Sequence, residues 1–217
     1  MTASAGWAWA ALLLLGAWHG INPGMGWLFA VALGMQEKSS RAVWRSLVPI
    51  AVGHALSIGA VVFLAALAGM VLPPAVLRFS VAAILFAVGI YRMVKHRHPR
   101  GGGMQVGFGD LTVWSFLMAS AHGAGLMLLP ILLQISPAAH ATANQVGPHP
   151  HPAVMGGTTT NLLAVTVHTA GYLIVTGAVA WVVYEKLGLS LLRKAWLNMD
   201  LIWSFALIAT GCLVLFV

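Results

Sequence analysis

Long apolar segments separated by short polar ones dominate the hydrophobic pattern of this chain. Six of these segments are long enough to cross about 30 Å of hydrocarbon at about 1.5 Å of helix rise per residue. They occupy residues 5–35, 47–71, 75–94, 107–135, 159–183 and 196–217. Because backbone groups in lipid must be hydrogen-bonded internally, each segment is predicted to be a helix. The pattern therefore predicts an all-α integral membrane protein, one membrane domain over residues 1–217 with about six transmembrane helices.

The first apolar segment is interrupted by Pro23, Gly24 and Gly26. Proline removes a backbone hydrogen bond from a helix interior and clashes with the preceding turn. We therefore expect this helix to be kinked. We also expect neighbouring helices or a polar cavity to cover the backbone carbonyls that the break frees.

Composition narrows the class of protein. The chain is 60% hydrophobic and 7% charged, which no water-soluble core of 217 residues requires. Its single cysteine, Cys212, excludes an intramolecular disulfide and argues against a cysteine-based metal site. The net charge of +7 comes from cations in the short segments between apolar stretches, which is typical of topology signals. The expected partner is the lipid bilayer and not nucleic acid.

The cations also predict an orientation. Ten of the eleven lie on one side of the six predicted helices: Lys38, Arg41, Arg45, Arg92, Lys95, Arg97, Arg100, Lys186, Arg193 and Lys194. The positive-inside rule makes that side cytoplasmic. The prediction is a multi-pass protein of the cell membrane with both termini and the segment 136–158 outside the cytoplasm. Arg78, the exception, is near a helix end where it can snorkel.

Each half of the chain would hold three helices, residues 1–95 and residues 104–217. The second half then enters the membrane in the opposite orientation, which is the arrangement of an inverted repeat. His19 and His54 occupy the first and second helices of one half, and His122 and His168 those of the other. The sequence therefore predicts two inverted three-helix repeats.

Four histidines in apolar helices are candidates for a shared site, because ionisable residues within a membrane are usually functional. For any one of them the alternative is a hydrogen bond to a backbone carbonyl or a Ser/Thr hydroxyl. Counting rise per residue places His19 and His54 toward the cytoplasmic half, and His122 and His168 toward the outer half. They are therefore predicted to form either one shell or two stations on one path.

Imidazole suits Ni, Co, Zn or Cu, whereas carboxylates and carbonyls suit harder cations. The chain has only four acids, all assigned to helix ends: Glu37, Asp110, Glu185 and Asp200. The predicted ligands are therefore His19, His54, His122 and His168, with a transition-metal ion as substrate or ligand and no organic cofactor. Predicted secondary ligands or gating residues are Asn22, Pro23, Met25 and Met127.

The segment 136–158 contains His140, His149 and His151 among prolines. Short His-rich tracts commonly bind metal, and the alternative for such a segment is a plain connector. We predict an external loop that captures metal.

Three short motifs resemble one transporter family. The segment His19–Met25 is similar to the His-x-x-x-Pro-Gly-His signature of the NicO group of nickel and cobalt exporters, within the superfamily that includes the lysine exporter LysE. Gly53–Leu56 and Val167–Gly171 look like that group's His-Thr-Leu-Gly element. The resemblance implies that His19 and His54 contact metal. Met25 stands where the family signature ends in histidine.

The second half departs from the family in carrying His122–Gly125 with Pro130 in place of a proline-rich counterpart. The predicted function is a secondary transporter of a transition-metal cation, not an enzyme, since no ATP-binding or hydrolase motif is present. The alternatives are a LysE-like exporter of a small organic solute, an intramembrane enzyme with a histidine-bound metal, and a structural or assembly subunit. Whether the protein forms a homo-oligomer is left open.

Overall fold

The computed structural model describes residues 3–71, 73–94, 107–135, 157–187 and 199–216, and all regular structure in these ranges is helical. The helices, numbered here in chain order, are α1 (Ala3–Ile21), α2 (Trp27–Gln36), α3 (Ser40–Val71), α4 (Pro74–Val94), α5 (Phe108–Ala121), α6 (Ala124–Ile135), α7 (Thr158–Val182) and α8 (Met199–Phe216). A 3₁₀ turn, Pro23–Met25, joins α1 to α2, and a π-helical turn, Val183–Leu187, follows α7. The predicted all-helical class is confirmed.

The predicted break in the first apolar segment is present. The Asn22 side-chain oxygen accepts a hydrogen bond from the Gly24 amide at 3.0 Å and starts the 3₁₀ turn. Gly26 then adopts φ +135, a backbone conformation that side chains rarely tolerate. A Cβ atom there would also lie 2.6 Å from the Ile50 side chain. The chain therefore changes direction between α1 and α2 at a site that requires glycine.

The segment 107–135, predicted as one transmembrane helix, consists of two helices in the structure. His122 ends α5, and Gly123 takes the left-handed conformation with φ +70. A left-handed glycine is a common helix terminator because it lacks a Cβ atom that would clash. The parts Phe108–Ala121 and Ala124–Leu133 consequently meet at a bend of 58°.

Two described helices, Ser40–Ala68 and Thr158–Lys186, are long and apolar enough to cross a membrane. The bent pair α5 and α6 would be a third if it counts as one span. Large apolar side chains point outward from these helices, including Phe63 and Ile174, which are 62% and 67% exposed. The described part of the chain is therefore apolar on its outside as well as in its core.

Helices α1 and α7 pack side by side in the same direction. Gly16 lies against the His168 backbone, and one turn later Gly20 lies against the Tyr172 backbone. A Cβ atom at either glycine would run into a carbonyl oxygen of α7. The two glycines thus permit a close backbone approach and fix a parallel register.

Helices α3 and α5 form a second parallel pair. Gly53 lies against the Thr112 carbonyl, and one turn later the Ser57 and Ser120 hydroxyl oxygens are hydrogen-bonded at 2.8 Å. Helix α3 in turn runs antiparallel to α7, because Leu47 contacts Gly177 whereas His54 contacts His168. Helices α1 and α7 therefore run opposite to α3 and α5.

The remaining pair, α4 and α8, is antiparallel. Gly89 lies against the Ile208 side chain, and Gly211 lies against Leu85, one turn back along α4. Each glycine faces a larger residue of the other helix, which lets the two helices approach closely.

The close approach of α3 to α5 predicts different effects on stability for two alanine substitutions in α3. Gly53→Ala should lower the free energy of unfolding by about 1–3 kcal/mol, because its Cβ atom would displace the α5 backbone. Gly59→Ala is the matched control, since nothing lies within 4 Å of its Cβ position. It should be neutral or stabilising by about 0.5–1 kcal/mol. Denaturation of the purified protein in mixed micelles measures both, and equal effects would contradict the proposed packing of the pair.

Candidate functional site at a buried histidine cluster

Three of the four predicted histidines meet in the interior. His19 of α1, His54 of α3 and His168 of α7 are all fully buried. Their ring centroids are separated by 5.9 Å (His19 to His54), 5.1 Å (His19 to His168) and 5.5 Å (His54 to His168). These three residues are called the histidine cluster below.

Backbone carbonyls orient two rings of the cluster. Nδ1 of His19 lies 2.8 Å from the Leu15 carbonyl oxygen, and Nδ1 of His168 lies 3.2 Å from the Leu12 carbonyl oxygen. A carbonyl oxygen can only accept, so each Nδ1 must carry the proton and donate. In the neutral ring, Nε2 then holds the lone pair. In metal sites, too, a ligating histidine commonly donates its other ring N–H to a carbonyl oxygen, which fixes the tautomer and the orientation of the ring.

His54 is held by stacking. Neither of its ring nitrogens has a hydrogen-bond partner among the residues that the structure describes. The ring is nearly parallel to that of His168, at 8°, and to that of Tyr172, at 12° with a centroid distance of 3.9 Å. A buried imidazole without a hydrogen bond is costly, so packing alone does not explain why a histidine occupies this position.

His122 lies beside the break of the first helix. Its Nδ1 donates to the Met118 carbonyl at 2.7 Å, and its Cε1 lies 3.9 Å from the position a Cβ atom would take on Gly24. His168 lies beside His19 and His54, although a count of rise per residue placed it toward the outer half with His122. The parallel register of α1 and α7 sets His168 beside Leu12 and Gly16, one turn from His19, which a count of rise per residue does not reveal.

Tyr172 belongs to the site and was not predicted. It is fully buried, and its hydroxyl donates a hydrogen bond to the Met25 carbonyl. One sequence signal could have identified it. Tyr172 follows His168 by four residues, so the two side chains share one face of α7.

Side chains cover the carbonyls that the break frees, as predicted. Tyr172 reaches Met25 from another helix, and the Trp27 indole Nε1 donates to the Ile21 carbonyl at 2.9 Å. Trp27 is buried, whereas tryptophans of membrane proteins are enriched at the two interfaces.

The other candidates lie around this site or outside the described ranges. Asn22 and Pro23 are buried in the break. Met25 and Met127 are buried in the apolar core, where methionine commonly fills gaps. His140, His149 and His151 fall outside the residues that the structure describes.

The histidine cluster is not a preformed metal shell. Within the described ranges, no group of three or more His, Cys, Asp or Glu side chains is arranged to hold a metal ion. Because an imidazole lone pair lies in the plane of its ring, the nearly parallel stacked rings of His54 and His168 do not direct lone pairs at one point. Metal binding by these residues would require at least the His54 ring to rotate.

No known protein family, curated protein or solved structure matches this chain. The resemblance to the nickel and cobalt exporters therefore stays a prediction from short motifs.

The orientation of the rings predicts a tautomer that spectroscopy can detect. Three histidines, His19, His122 and His168, donate Nδ1–H to a carbonyl, so each should show a protonated Nδ1 and an unprotonated Nε2 at alkaline pH. Solid-state ¹⁵N spectra of histidine-labelled protein would show these signals, each lost in the matching His→Gln variant. An Nε2–H signal for His19 or His168 would contradict the arrangement of the cluster.

Proposed function

We propose that this protein is a multi-pass secondary transporter that moves a transition-metal cation, Ni, Co, Zn or Cu, through a path containing the histidine cluster. One observation carries the proposal. Three buried imidazoles meet, and backbone carbonyls hold two of them with the proton on Nδ1 and the lone pair on Nε2. Buried polar groups that serve packing alone need no such convergence from three helices.

The chemistry of the cluster favours a soft or borderline cation. Neutral imidazoles bind transition metals, whereas Mg and Ca need several oxygen ligands. Among the acids, Glu37, Asp110 and Glu185 are exposed at helix ends, far along the chain from the cluster residues. Affinity would therefore come from donor bonds to nitrogen and not from opposite charge, which disfavours the hard cations.

Helix directions support six membrane spans arranged as an inverted repeat. Helix α1 packs parallel to α7, and α3 packs parallel to α5, so the first helix of one half accompanies the second helix of the other. The third helices, α4 and α8, pack on each other in opposite directions. An inverted two-fold relation between residues 1–95 and 104–217 generates this pattern of pairs.

Two helix breaks support transport by alternating access. Each break follows a buried histidine, His19 before Asn22 and His122 before Gly123. Transporters of inverted-repeat architecture commonly use discontinuous helices at their binding sites, because irregular backbone there can rearrange. In this proposal Asn22, Pro23 and Met25 are moving parts of the path.

A crevice supports a route from the cytoplasmic side. It has a volume of about 480 Å³, lies between α2, α3 and α5, and is lined by residues that include Glu37, Arg45 and Ser46. Ser46, Ile50 and His54 share one face of α3. Ile50, which is buried, lies between Ser46 of the crevice and His54 of the cluster along that face.

The proposal predicts metal binding that depends on the cluster. Purified protein should bind one or more of Ni²⁺, Co²⁺, Zn²⁺ or Cu²⁺. Each of His19→Ala, His54→Ala and His168→Ala should weaken this binding by about tenfold or more. The magnitude follows from metal sites in general, where loss of a supporting contact alone costs about 10–100-fold in affinity. Calorimetric titration in detergent and uptake into proteoliposomes measure binding and transport. His122→Ala tests whether the break carries a second station.

Replacing His140, His149 and His151 together is the control for the metal experiments. These residues are proposed to capture metal outside the membrane, so the variant should need more metal for half-maximal transport yet reach the same maximal rate. If the three cluster variants bind all four metals like the parent protein, the metal-transporter proposal is wrong. An exporter of an organic solute then becomes the better hypothesis.

Orientation has its own test. In a Cys212→Ser background, a cysteine replacing Gly157 should react with a membrane-impermeant maleimide from outside intact cells. A cysteine replacing Ser39, between α2 and α3, should react only after the cells are permeabilised, because the flanking cations are proposed to be cytoplasmic. Labelling of both cysteines from the same side would contradict the proposed orientation and the inverted repeat.

A further inference from the structure

We infer that Tyr172 is a positioning residue that couples the state of the His54 ring to the geometry of the break between α1 and α2. The coupling to ion binding rests on the proposed function. The contacts of Tyr172 with His54 and with the Met25 carbonyl are present without a metal. It assigns a role to a residue that the sequence did not single out.

The Met25 carbonyl lacks its usual helical hydrogen bond. In a continuous helix the Phe29 amide would donate to it, four residues on. Here the Phe29 and Ala30 amides both donate to the Gly26 carbonyl, at 3.0 and 3.1 Å. The Tyr172 hydroxyl supplies the hydrogen bond that the break removes from Met25. A buried carbonyl without a partner is costly, so this bond stabilises the broken conformation.

The ring of Tyr172 is tightly packed between His54 and the break. It stacks face to face on His54, with centroids 3.9 Å apart and planes 12° apart. Its hydroxyl lies 3.2 Å from the position of a Cβ atom on Gly26, and Ser115 and Thr176 adjoin it. The ring therefore has little room to move unless its neighbours move as well.

Coupling follows from these two contacts. His54 must rotate to present a nitrogen to the same ion as His19 and His168, because its ring is now stacked nearly parallel to two others. Rotation removes the surface on which Tyr172 stacks. The Tyr172 hydroxyl then shifts relative to Met25, and the break loses its cross-helix hydrogen bond. Occupancy of the cluster is thereby transmitted to the joint between α1 and α2.

Hydrogen exchange of the break tests the coupling without any metal. In Tyr172→Phe the ring can still stack, but the Met25 carbonyl is unpaired, so amides in a peptide spanning residues 21–30 should exchange about tenfold faster. His54→Ala should accelerate the same peptide by a similar factor. The double variant should exchange no faster than Tyr172→Phe alone, because both changes act through one hydrogen bond.

Tyr184→Phe is the matched control. Its ring packs beside Gly34, outside the break, so peptide 21–30 should exchange as in the parent protein. Multiplicative acceleration in the double variant, or no acceleration in Tyr172→Phe, would overturn the inference. A change in Tyr184→Phe equal to that in Tyr172→Phe would overturn it as well, since the effect would then be general loosening.

A second readout uses Ni²⁺ as the probe. Tyr172→Phe should lower the maximal rate of Ni²⁺ transport about tenfold while leaving the Ni²⁺ dissociation constant within about threefold, as expected when coupling and not ligation is removed. If the parent protein binds none of the four metals, the proposed function is wrong. Hydrogen exchange of residues 21–30 then still tests whether Tyr172 and His54 stabilise the break. An equal loss of Ni²⁺ affinity and transport rate in Tyr172→Phe would show that Tyr172 contributes to metal binding itself. That result would overturn the coupling.

Discussion

Internal hydrogen bonding of buried polar groups is the constraint on which the site depends. An apolar bundle offers no water to a freed carbonyl or an imidazole, so each must find a partner within the protein. The break at Pro23 satisfies this requirement with Trp27 on Ile21 and Tyr172 on Met25. The histidines of α1 and α7 satisfy it with backbone carbonyls. His54 has no such bond among the residues that the structure describes, which distinguishes it from the other two histidines of the cluster.

Glycine makes this arrangement possible by letting backbones approach. Gly16 and Gly20 bring α1 against α7, and Gly53 brings α3 against α5. Only with α1 and α7 in close parallel register does His168 come within 5.1 Å of His19, measured between ring centroids. The position of the cluster thus follows from small residues that have no chemistry of their own. Loss of one of them should disturb the site as well as the stability.

Hydrophobic patterning predicted the helices well, because length and apolarity alone determine where such segments can lie. The sequence also predicted the break at Pro23, because a proline in the interior of a helix removes a backbone hydrogen bond. It did not locate the bend at Gly123, since a single glycine in an apolar helix is ordinary until its φ angle is known. The buried histidines were identified by their cost in an apolar segment, but their grouping depends on helix register. Tyr172 was missed because its two contacts join residues distant in sequence.

The central claim is that His19, His54 and His168 together receive a transition-metal ion. X-ray absorption spectroscopy of the purified protein loaded with Ni²⁺ tests it most directly, because imidazole rings give characteristic multiple scattering. The account predicts several imidazole nitrogens around the metal in the parent protein and fewer in His54→Ala and His168→Ala. A shell of water and backbone oxygens without imidazole scattering, unchanged in those two variants, would contradict it.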